Sequence, residues 1–96
     1  MFWEEFFMRA VITVIGKDRV GIIAAVSNIL AESNVNILDI TQTIMQDMFT
    51  MIMLVDISRA GIAFAELSEK LENKGVELGV SVRIQHEDIF NSMHRI

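Results

Sequence analysis

Apolar residues recur along this chain of 96 residues in two rhythms, every second position and every third or fourth. Residues 9–15, Arg-Ala-Val-Ile-Thr-Val-Ile, are β-branched and apolar and predict a first strand. Gly16-Lys17-Asp18-Arg19-Val20-Gly21 breaks that run. Across 19–33 the spacing of Ile22, Val26, Ile29 and Leu30 predicts a helix, with Asp18 as its N-cap and Ser33-Asn34 as its end. Residues 36–46 predict a second strand, with Leu38, Ile40 and Ile44 on one side and Asp39, Thr41, Thr43 and Met45 on the other. Gln46-Asp47 is a turn signal, 49–57 a third strand, and 58–61 a loop. Over 62–74 an amphipathic helix turns Phe64, Leu67 and Leu71 inward and Glu66, Glu69, Lys70 and Glu72 outward, with Gly75 suited to end it. Val80, Val82 and Ile84 alternate with Ser81, Arg83 and Gln85 in a fourth strand, and Asp88 is placed to cap a short terminal helix carrying Ile89, Phe90 and Met93.

Strand-helix-strand followed by strand-helix-strand is the split βαβ order. It predicts an α+β, ferredoxin-like βαββαβ sandwich: a four-stranded antiparallel sheet, strands one and three central, both long helices on one face. The other face is then open. Its edges read as polar, with Ser81, Arg83 and Gln85 on one side and Asp39, Thr41 and Thr43 on the other. Its centre does not, because Val11-Ile12 and Met51-Ile52-Met53-Leu54-Val55 place apolar groups on both faces. A partner subunit, the C-terminal segment around Ile89, Phe90 and Met93, or edge-to-edge strand pairing are the three ways to shelter that surface.

Composition sharpens this. Apolar residues make up 52% of the chain, against roughly 45–50% in globular domains even when Gly is counted. So short a chain shelters that much apolar matter most simply by association, and a homodimer is expected. The net charge of −5 argues against nucleic acid, which needs clustered Lys and Arg. There is no Cys, hence no disulfide, thiolate nucleophile or thiolate metal site. No apolar run is long enough to cross a membrane, and the start of the chain is aromatic and acidic rather than positively charged. The expectation is a cytoplasmic protein with no membrane partner.

The Gly16–Gly21 stretch is the candidate for chemistry. The start of a helix offers free N–H groups to a carboxylate or phosphate. Lys17 and Arg19 add cations, the glycines allow close backbone approach, and Asp18 suits an ammonium group. Together these fit a zwitterion such as an amino acid. They also fit a capped turn with solvated charges. Without a following Lys-Ser or Lys-Thr, the Gly-x-x-x-x-Gly spacing is not a nucleotide-binding P-loop.

Val-Ile-Thr-Val-Ile-Gly-Lys-Asp-Arg-Val-Gly-Ile-Ile, followed by Leu-Ala-Glu-Ser-Asn-Val-Asn-Ile-Leu-Asp-Ile, resembles an ACT domain. The likeness covers residues 8–96 and is greatest to stand-alone bacterial and archaeal ACT proteins. It extends to the ACT modules of glycine-cleavage repressor-type regulators and formyltetrahydrofolate deformylases. Val20 departs from it, standing where many relatives carry Pro, which a first helical turn tolerates without requiring. The resemblance implies dimerisation and an amino acid held at an interface by Gly16, Asp18, Arg19, Val20, Gly21, Ile22, Asn36 and Ile37. Asn36 suits the task because its amide both donates and accepts; it equally suits the turn that opens the strand. The resemblance also implies a native start at Met8. Trp3-Glu4-Glu5 is encodable by a purine-rich stretch resembling a ribosome-binding site, which would make residues 1–7 an extension added by gene calling; an aromatic arm is the alternative.

Other chemistry is poorly supported. His86 and His94 are the only histidines, eight apart across a strand-to-helix break, and make no compact ligand set. Neither a metal nor another cofactor is expected. No Ser/His/Asp arrangement, acylphosphatase-type arginine loop or aromatic RNA-binding face is discernible. Met45, Met48, Met51 and Met53 read as filler of a core or dimer contact. The expected function is therefore non-enzymatic: an allosteric regulatory module that binds an amino acid between two copies and signals to a protein partner. The alternative is a ligand-free, repressor-like adaptor.

Overall fold

The computed structural model describes residues 8–17 and 20–93, with side chains to residue 90. Its elements are β1 (Arg9–Gly16), α1 (Ile22–Glu32), β2 (Asn36–Met45), β3 (Met48–Asp56), α2 (Phe64–Leu78), β4 (Ser81–His86) and α3 (Glu87–Met93). The strands pair antiparallel in the order β2-β3-β1-β4, so β1 and β3 are central, as the split βαβ order predicts.

Alternation decides which face is buried. Ala10, Ile12 and Val14 of β1, Phe49, Met51, Met53 and Val55 of β3, and Val82 and Ile84 of β4 point to the helix side. There they meet Ile22, Val26, Ile29 and Leu30 of α1 and Leu67 and Leu71 of α2. Each fully buried side chain of this size contributes about 1.5–3 kcal/mol.

Helix ends differ from the predicted ones in ways packing explains. α1 begins at Ile22 rather than 19, because Gly21, not Asp18, takes the cap position, with φ 78° and no side-chain cap. Ile22 is the first residue of the buried stripe, so the helix starts where the core does. α2 runs to Leu78, past Gly75. Gly75 lies inside the helix because β4 packs on it: a Cβ there would stand 2.8 Å from the Val80 carbonyl oxygen. The cap is instead Gly79, at φ 77°. Val80 N–H donates to Gly75 O and Gly79 N–H to Val76 O, a Schellman ending. α1 closes the same way with Asn34 at φ 60°. α3 begins at Glu87, one residue before the expected Asp88 cap, and the Asp88 carboxylate accepts the Ile89 N–H within the first turn.

β2 is an edge strand exposed along its whole length. A bulge between Ile37 and Asp39 makes Leu38 the extra residue and removes it from the row of Ile40 and Ile44. By register, Ile37, Ile40 and Ile44 lie on the helix side, and Asn36, Asp39, Thr41 and Thr43 on the open side.

The open face is only partly sheltered. α3 lies against β1 and β4, and Arg9 makes two hydrogen bonds to Glu87 at 2.9 and 2.7 Å. Val11, next along this face, is buried, but Ile15 at 41% and Ile52 at 38% remain accessible.

Candidate functional site

The predicted site residues fall at two ends of the sheet. Gly16 closes β1 opposite Phe49. Lys17 and Val20 follow on the surface, Val20 at 80% exposure, while Ile22 is buried in the core and offers a ligand only its backbone. Asp18 and Arg19 lie outside the described residues. With Ile44, Gln46, Asp47, Met48 and Phe49 of the β2–β3 hairpin, Lys17 and Val20 line a groove of about 350 Å³. The hairpin turns in two residues, Gln46 taking φ 56°.

Asn36 and Ile37 lie at the other end, where β2 begins opposite Asp56 and Val55. They line a groove of about 310 Å³ with Ser27, Leu30, Ala31, Asn34 and Val35 from the end of α1. Arg9 and Gly16 bracket β1 in the same register, so the two ends are separated by seven residues of strand, about 23 Å at 3.3 Å each. Within one chain no amino acid spans that distance. Both grooves nevertheless open on the helix side of the same unpaired edge, because Ile37 and Ile44 share that side of β2.

A polar cleft of about 470 Å³ adjoins Asn36, lined by Asn34, Asn36, Asp56, Ser58 and Arg59. Asp56 ends β3 and accepts the Ser58 N–H at 2.9 Å. That bond holds its carboxyl below the usual range, with help from the Ser58 hydroxyl and the nearby Arg59 and Arg9 charges, against slight burial. Sequence reasoning missed Asp56, Ser58 and Arg59, and also Ile44 and Gln46. The signal available was an Asp near the end of the predicted third strand, two residues before the Ser that opens the predicted loop, a spacing that favours an Asp-capped turn. Among the described residues no three His, Cys, Asp or Glu side chains gather as a metal cluster. His86 stacks on Phe64 with centroids 4.1 Å apart, and His94 lies outside the described residues.

An antiparallel sheet in the order β2-β3-β1-β4, with both crossover helices on one face, defines a ferredoxin-like α+β domain. Residues 8–85 match the ACT domain profile, and the chain belongs to the ACT domain family, whose members are regulatory, ligand-binding modules. It is 62% identical over 88 residues to a UPF0237 protein of Methanocaldococcus jannaschii, covering 92% of this chain and 98% of that one. An ACT domain protein from Streptococcus pneumoniae superposes with TM-score 0.75 at 43% identity, over 86% of this chain and 93% of that one. The ligand-free regulatory subunit of aspartate kinase from Thermus thermophilus gives TM-score 0.61 at 27% identity, over 82% of this chain and 51% of that one. No helix among the described residues is long and apolar enough to cross a membrane.

Proposed function

We propose that this chain is a non-enzymatic ACT module of the cytoplasm that binds an amino acid between two copies of itself and passes its occupancy to a protein partner. The carrying observation is the pair of half-grooves at opposite ends of one unpaired edge strand. Antiparallel pairing of β2 with its two-fold mate brings Asn36 and Ile37 of one copy towards Gly16, Val20 and Gly21 of the other. The match then follows residue type. The amide of Asn36 and the positive end of the α1 dipole meet the ligand's backbone, with Asp18 and Arg19 as its charge partners. Ile37, Val20 and Ile44 line the space for its side chain. Occupancy then favours the paired form, which is the signal a partner protein reads.

A thermal-shift screen against the twenty amino acids tests this. A ligand at about 100 times its Kd adds roughly 2.7 kcal/mol, about 11–22 °C for a domain of this size. Asn36→Ala and Asp18→Ala should each keep the fold and lose the shift. Unchanged melting with every amino acid, alongside recovery of a protein partner, would replace this reading with the ligand-free adaptor.

A further inference from the structure

The polar cleft beyond Asn36 is larger than either groove and differs from them in charge. Asp56 and Arg59 both line it, with opposite charges. They are close enough for the guanidinium to favour the ionised Asp56, yet no ion pair joins them. The loop carrying Arg59 is fixed from behind. The Asn34 side-chain amide donates to the Arg59 carbonyl at 2.9 Å, and Gly61 N–H donates to Ser33 O at 2.9 Å. The Ser58 N–H likewise fixes the Asp56 carboxylate. The Asp56 carboxylate and the backbone that carries the Arg59 guanidinium are thus held at one cleft, with no ion pair between the two charges. A zwitterion has the complementary arrangement, and a charge-assisted bond to each end is worth more than a neutral one.

We infer that this cleft is a second ligand site that takes the backbone of an α-amino acid, ammonium on Asp56 and carboxylate on Arg59, with the Ser58 hydroxyl and Asn36 amide beside them. Of the residues assigned to the interface site only Asn36 borders it. The volume admits a side chain as well as the backbone.

The test is a titration of the ¹⁵N-labelled full chain with L-alanine, and separately with methylamine and acetate as its two charged halves. Saturable amide shifts at residues 56–59 are expected with L-alanine, and weaker ones with either half. Arg59→Ala, whose side chain is exposed, should keep the fold and weaken L-alanine binding there roughly tenfold or more. Arg59→Lys should restore part of it. No saturable shift at 56–59, or one unaltered in Arg59→Ala, overturns the inference. Shifts at the amides of Gly16–Gly21 report the interface site separately, so either site can fail without the other.

Discussion

At the scale of single residues, two positions show how local rules yield to contact. Gly75 sits mid-helix, where Ala is intrinsically better by about 1 kcal/mol. The added methyl would stand 2.8 Å from a backbone carbonyl and 2.9 Å from Val82 Cγ2. The backbone cannot swing aside as a side chain does, so the clash wins. Gly75→Ala should lose about 1–3 kcal/mol in urea unfolding. Asp56 carries a pH dependence. Its folded pKa lies below the ordinary 3.8, so its stabilisation is complete above that value and fades as pH falls through the folded pKa. Asp56→Asn keeps an acceptor for Ser58 N–H but loses the charge. It should be less stable than the wild-type chain at neutral pH, with the gap closing in strong acid. Melting curves across that range check this, and a gap independent of pH would contradict it. The Asp-x-Ser signal was present in the sequence but was missed; Gly75 as a contact glycine left no local signal, because its neighbour Val82 belongs to the next strand.

At the scale of elements, β2 stands apart. It is ten residues long, has one charged side chain, contains no proline and lies at the edge. Edge strands left this plain invite pairing, and natural sheets guard against it with charge, proline or bulges. Here the one bulge, at Leu38, lies near the start and leaves Asp39–Met45 regular. Ile40, 38% exposed on the helix side, lies near the middle. Ile40→Lys should place two like charges near the two-fold axis and yield a monomer by light scattering where the wild-type chain is a dimer. A wild-type monomer, or a dimeric variant, would remove β2 as the pairing edge. The strand itself was legible from its pattern. So were the sides of Asp39 through Ile44; only Leu38 departs, because the bulge takes it out of the alternation and no residue signals it.

For the whole molecule, the separation of the half-grooves links assembly to binding. If the interface ligand needs both, Ile40→Lys must abolish the part of the thermal stabilisation that Asp18→Ala also removes, even though it alters neither groove's polar residues. Loss of dimer with retained stabilisation at the interface groove would mean that each chain binds alone. The polar cleft offers the contrast, since Asp56 and Arg59 come from one chain and should bind in the monomeric variant as well. α3 adds a smaller global tie: the Arg9–Glu87 pair joins the end of the chain to its first strand, partly buried on both sides.

The order of elements, the four strands, the two long helices and the buried stripes of those helices were determined by the sequence alone. Periodicities of two and 3.6 are local, and each residue carries its share of them. The Gly16–Gly21 loop stood out for the same reason, as a polar, glycine-bounded break between periodic runs, whereas Asn36 came only from the resemblance to ACT domains. Tertiary structure alone decided where α1 begins and where α2 ends, because those points follow the edge of the core and the approach of β4. It alone decided that Gly16 and Asn36 lie about seven strand residues apart, and that Asp56, Ser58 and Arg59 share a cleft with Asn34 and Asn36. These are distances across the sheet, set by which strand pairs with which and in what register, and such pairing joins residues that no local window contains together.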